Sequence, residues 1–162
     1  MSKMKQDSNS LMPIKRILLV LILAMSSMYS VAQDQLFKQF DDAKGVSTVY
    51  ISPTMFRLMP KLEFGDKDIT KIASKLTKLQ VLECERPSLI PTIKKQATHY
   101  YMTNKYEVVM KIKDKDERTT IYLKSYGKNN NEFILMNEEP KEITIIQLVG
   151  HITLSEIKNI TK

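Results

Sequence analysis

The stretch Ile69-Thr70-Lys71-Ile72-Ala73-Ser74-Lys75-Leu76-Thr77-Lys78-Leu79-Gln80-Val81-Leu82-Glu83-Cys84-Glu85 decides the fold. Ile69, Ile72, Ala73, Leu76 and Leu79 repeat at helical spacing, so the first half reads as an amphipathic helix. Lys67, Lys71, Lys75 and Lys78 then fall on its opposite face. Leu79 to Glu85 reads as a strand, with Leu82 and Cys84 on one side and Val81 and Glu83 on the other. A helix between this strand and an earlier one implies a crossover, and so a parallel or mixed pairing.

The earlier strand is Val46 to Ile51, β-branched and aromatic. Ser52 is a suitable N-cap for a short helix and Pro53 a suitable first residue. Met55, Phe56, Leu58 and Met59 make an apolar stripe, of which Met55, Phe56 and Met59 are expected to wedge into the core. Pro60 stops the helix near Leu58. Before the strand, Gln33 to Lys44 reads as a helix with Leu36, Phe37 and Phe40 on one face and Gly45 as its C′ residue.

Beyond Glu85, Ser88 is placed to cap a helix whose inner face carries Leu89, Ile90, Ile93, Ala97, Tyr100 and Tyr101. The period then changes from 3.6 to 2. Tyr106, Val108, Met110 and Ile112 alternate with Glu107, Val109, Lys111 and Lys113, and further strands fall at 119–124, 133–136 and 143–152. Short polar turns join these four into an antiparallel meander. Thr153 and Glu156 have the spacing of a capping box, opening a last helix with Leu154, Ile157 and Ile160 inward. The fold class is α+β: a single two-layer domain with a mixed sheet, a C-terminal antiparallel meander, and helices packed mainly on one face.

The N-terminal region reads differently. Lys15-Arg16 precede the apolar run Ile17 to Met25, and Ser30 and Ala32 supply small residues at the −3 and −1 positions. Residues 1–32 therefore read as a signal peptide cleaved after Ala32, leaving 33–162 as one domain. Met12 makes a more ordinary start for such a peptide than Met1. The apolar run is about half the ~18–20 residues needed to span a bilayer, which disfavours an uncleaved anchor, and no stable transmembrane span is expected after cleavage. No cysteine lies at the cleavage site to carry a lipid, so the expected product is an exported protein of the periplasm or cell surface, not a lipoprotein.

Net charge is +7, and 1–32 accounts for Lys3, Lys5, Lys15 and Arg16 against Asp7, which leaves +4 for the remainder. That modest charge supports solubility, and export makes nucleic acid an unsuitable partner. Cys84 is the single cysteine, so no internal disulfide is possible.

A series of short motifs carries a resemblance. They run from Phe37-Lys38-Gln39-Phe40 through Gly45-Val46, Ile51-Ser52-Pro53, Met55-Phe56 and Met59-Pro60 to Leu79–Glu85. Tyr106–Asp114, Ile121–Lys124, Glu132–Met136 and Ile143–Ile152 complete it. In this order they resemble the domain of unknown function 4252, a family of exported bacterial proteins. The resemblance implies a Gram-negative envelope location and no established activity. Some members resemble neighbours of sigma and anti-sigma systems, which implies a link to envelope signalling. Several resemble lipoproteins, from which this chain departs.

Candidate chemistry is sparse. Cys84 with His99 or His151 is the one possible nucleophile pair, and a core strand is the ordinary place for such a thiol. The histidines lack metal-ligand spacing. Asp114-Lys115-Asp116-Glu117 and the trio Glu138, Glu139 and Glu142 read as solvated turns. No G-x-S-x-G elbow or Gly-rich phosphate loop occurs. No catalytic, cofactor or metal site is assigned. The contact surface put forward is Lys67, Lys71, Lys75 and Lys78, facing an envelope protein or an anionic envelope surface. The function read is a non-enzymatic binding or interaction module. The alternatives are a small exported thiol or hydrolytic enzyme using Cys84, or an accessory to anti-sigma signalling.

Overall fold

The computed structural model describes residues 31–58, 63–64, 67–68 and 70–160. Most of the expected signal peptide, Met59, Pro60 and Ile69 lie outside the described residues. The backbone divides into two units, one ending at Lys38 and one from Gln39 onward. Helix α1 (Val31–Phe40) begins within the first, and its Leu36 and Phe37 are buried.

The second unit is built on one six-stranded sheet. Its strands are β1 (Val46–Ile51), β4 (Leu76–Cys84), β5 (Glu107–Asp114), β6 (Glu117–Ser125), β7 (Asn131–Glu138) and β8 (Ile143–Gly150). Their order is β1-β4-β8-β7-β6-β5, and every pairing is antiparallel. A two-residue ribbon, β2 (Glu63–Phe64) with β3 (Lys67–Asp68), stands apart. The helices are α2 (Pro53–Leu58), α3 (Thr70–Ala73), α4 (Ile90–Thr103) and α5 (Leu154–Ile160). The α+β class and the meander β5-β6-β7-β8 are as expected; the mixed sheet is not.

The decisive stretch explains the difference. The helix ends at Ala73 after one turn, and the strand begins at Leu76 rather than Leu79. A register shift between Leu76 and Lys78 makes Thr77 an extra residue opposite β8. One extra residue restores Leu76 and Leu79 to the same face at a spacing of three. A bulged strand thus imitates the helical spacing. With the helix gone there is no crossover, and β4 returns antiparallel to β1, Val46 opposite Cys84 and Ile51 opposite Leu79.

Gly150 sits at this junction with φ +156°. Its backbone lies so close to the turn before β4 that a Cβ would meet the Lys75 carbonyl oxygen at 2.1 Å. The neighbouring His151 N–H donates to that same oxygen at 2.9 Å. Gly45, at φ +81°, is not the C′ residue of α1, which ends five positions earlier; it turns the chain into β1 while its carbonyl accepts the Glu85 N–H.

Strand alternation sends side chains to two faces. On the first, Leu79, Val81, Ile121, Phe133, Leu135 and Leu148 form one apolar cluster. Phe56 of α2, Ile72 and Ala73 of α3, and Ile157 of α5 join it. On the second face, α4 brings Tyr101 to 5.0 Å from the Tyr122 ring and pairs Lys94 with Glu138. Helices therefore contact both faces, with α2, α3 and α5 on the first and α4 on the second. Burial of five consecutive β7 residues, Glu132 to Met136, has the same cause: neither face of a central strand is open to water.

Local signals fare unevenly. Thr153 and Glu156 form the capping box, the Thr153 N–H donating to Glu156 at 2.9 Å and the Glu156 N–H to Thr153 at 3.3 Å. Ser52 accepts the Met55 N–H at 3.4 Å. Ser88 does not cap α4: the N-cap is Leu89, and Ser88 instead accepts from Arg86. On α2 only Phe56 is buried; Met55 and Leu58 face solvent, so the wedge is one residue deep. In β5 a register shift between Val108 and Met110 breaks the expected alternation and leaves Val108 exposed.

Candidate functional site

The four lysines are not gathered on one helix. Lys67 lies in β3, Lys71 in α3, Lys75 in the turn that follows, and Lys78 in β4. Lys75 is engaged with Glu156 at 2.5 Å, a bond that holds the Glu156 carboxyl below its usual range.

Cys84 is fully buried, and its thiol donates to the Arg86 carbonyl at 3.7 Å. It pairs with Ile143 at the start of β8, whereas His151 follows the end of that strand. At about 3.3 Å per residue the two stand some 25 Å apart. His99 is exposed on α4. A thiol sealed from solvent is not poised as a nucleophile.

The two acidic turns do meet. Asp116, Glu117, Glu138 and Glu139 line one shallow cleft, but Lys113, Lys115 and Arg118 line it too, so its charge is mixed. The sheet also gathers Glu83, Glu85 and Glu142, whose carboxylate oxygens lie within 4.8 Å of one another. Oxygen ligands of this kind suit a hard divalent cation. Glu142 is already engaged, accepting from Thr144 at 2.8 Å. Sequence spacing could not reveal this trio, because it depends on the β4–β8 register.

A denser polar cluster lies on the second face near α4. Glu132 is 2% exposed. It accepts from Gln147 Nε2 at 2.7 Å, from the Tyr126 hydroxyl at 2.5 Å, and from Tyr106. Lys124, opposite Glu132 in the β6–β7 register, places its ammonium 5.1 Å from the Tyr106 ring centre and 5.5 Å from that of Tyr126. Tyr101 packs edge-on against Tyr106 at 5.2 Å. Desolvation, and next the nearby Glu132 charge, push the Tyr101 and Tyr106 hydroxyls well above the ordinary tyrosine range. Desolvation and then the Glu132 bond push Tyr126 up likewise.

The sheet edges differ from each other. The β5 edge carries Lys111, Lys113 and a bulge, all of which oppose further pairing. The β1 edge, Val-Ser-Thr-Val-Tyr-Ile, has no charge, no proline and an unbroken register with β4. The Gly45 carbonyl points to β4 and the Val46 N–H away from it, so Thr48 and Tyr50 direct their backbone groups outward. No strand among the described residues pairs with that side. Val49 and Tyr50 on β1, with Met55 and Leu58 on α2, are 49–72% exposed. Sequence showed the strand but not its edge position, which only the pairing order reveals.

Among the described residues no helix is long and apolar enough to cross a membrane. A family model described as "Domain of unknown function (DUF4252)" matches residues 38–160. No curated protein and no solved structure matches.

Proposed function

The chain belongs to the DUF4252 family, and we propose that it is an exported, non-enzymatic binding module of the cell envelope that takes up an extended segment of a partner protein along β1. One observation carries this reading: β1 is a neutral, regular sheet edge that no strand among the described residues pairs with, flanked by exposed apolar side chains. Natural sheets guard their edges, as β5 does here. An added strand would bond to the outward groups of Thr48 and Tyr50 and cover Val49 and Tyr50. The fully buried Cys84 argues against a thiol enzyme. Export is supported by the layout of residues 1–32.

The test compares capture of envelope proteins by tagged wild type, by Val49→Lys/Tyr50→Lys, and by a variant with Gln at 67, 71, 75 and 78. A partner kept by wild type and the glutamine variant, and lost by the edge variant, supports the reading. Binding to anionic vesicles that only the glutamine variant loses would return the contact surface to the lysines. N-terminal sequencing of the envelope form should begin at Gln33; a start at Met1 would overturn export by cleavage.

A further inference from the structure

We propose that Tyr106, Tyr126 and Glu132 form a binding site for a methylated ammonium head, which Lys124 fills in the free protein. Glu132 is almost wholly buried, and Lys124 is its cross-strand partner. The two charges do not meet directly. The ammonium lies over two tyrosine rings, and both ring hydroxyls donate to the carboxylate. A phenol that donates to an anion gains electron density, and its ring face then attracts a cation more strongly. The carboxylate oxygens are already engaged by Tyr106, Tyr126 and Gln147, so the site offers aromatic faces and negative field rather than open acceptors. That chemistry suits a cation without N–H groups better than one that must donate. Tyr126 is 52% exposed, which leaves a way in from solvent.

Removing Lys124 empties the aromatic faces and leaves Glu132 without its cross-strand lysine, a state that favours uptake of a replacement. The experiment titrates wild type, Lys124→Ala and Lys124→Ala/Tyr126→Ala with tetramethylammonium chloride against sodium chloride at equal ionic strength. Tyrosine fluorescence reports without interference, since the chain has no tryptophan. Lys124→Ala should bind saturably, at least about tenfold more tightly than wild type, and the double variant should lose the response. A folded Lys124→Ala with no saturable response, or one that the double variant retains, overturns the proposal.

A second arm uses wild type alone. Tetramethylammonium, but not sodium, should raise the rate at which a water-soluble ester acylates Lys124; an unchanged rate means an internal lysine contact only and overturns the proposal. The same head is carried by free solutes and by lipids. Co-sedimentation of Lys124→Ala with phosphatidylcholine vesicles assigns the lipid source, and saturation without co-sedimentation assigns a free solute.

Discussion

Replacing Gly150 by alanine should be among the most damaging single-methyl additions in this chain. The new Cβ would lie 2.1 Å from the Lys75 carbonyl oxygen and 2.8 Å from Leu76 Cα. Heavy atoms rest comfortably at about 3.5 Å, so β8 and the turn before β4 must part by about 1 Å. That separation strains or breaks the His151-to-Lys75 hydrogen bond, worth about 1 kcal/mol. Overpacking adds about 1–3 kcal/mol. The sum is about 2–4 kcal/mol, read by urea denaturation, or about 6–12 °C in Tm for a unit of this size. Gly127→Ala is the control. Gly127 also has positive φ, at +81°, but a Cβ there meets nothing within 4 Å, so its cost should stay at about 1 kcal/mol. Were residues 69–79 one helix, Gly150 would face no such contact. Equal losses for the two variants would refute the β4–β8 junction.

Thr153→Ala removes one half of the capping box and should cost about 1 kcal/mol in thermal or urea melts. Tyr101, Tyr106, Tyr122 and Tyr126 all have raised pKa values, with desolvation the largest cause in each. Their folded values exceed the unfolded value of about 10, so the stability they contribute is complete below that pH and is lost as pH rises above it. An alkaline absorbance titration should show these tyrosines ionising together with unfolding; smooth ionisation near pH 10 in folded protein would contradict their burial. Cys84 should resist thiol reagents in native protein and react once denaturant unfolds the chain; rapid native labelling would reopen the thiol chemistry.

Sequence patterns revealed what depends on neighbouring residues. The capping box, the Ser52 cap, the bounds of β1 and α2, and the four-strand meander all rest on local spacing, and all are present. What depended on distant pairing was misread or hidden. Ile72, Ala73, Leu76 and Leu79 fit a helix by period, and only the β8 register shows that a bulge at Thr77 produces the same spacing in a strand. That one reading carried the lysine stripe and the mixed sheet with it. Met55 was read as a wedge because composition cannot say which side of a one-turn helix meets the sheet. Glu132 lies just before the strand expected at 133–136 and is given no role. Its burial requires Tyr106, Tyr126 and Gln147, none of which sequence spacing places beside it. The β1 edge was legible only in part: a neutral strand can be read directly, but its place at the end of the sheet order cannot.

Site-specific photo-crosslinking compares the two edges directly in cells that make the protein. A photoreactive side chain replaces Tyr50 on β1 in one variant and Ile112 on β5 in the other, both exposed positions. Strand addition at β1 predicts a discrete adduct from position 50, absent from position 112 and abolished when Thr48→Pro removes an outward N–H from the edge. Adducts of equal yield from both positions, or an adduct at position 50 that survives Thr48→Pro in folded protein, would contradict it.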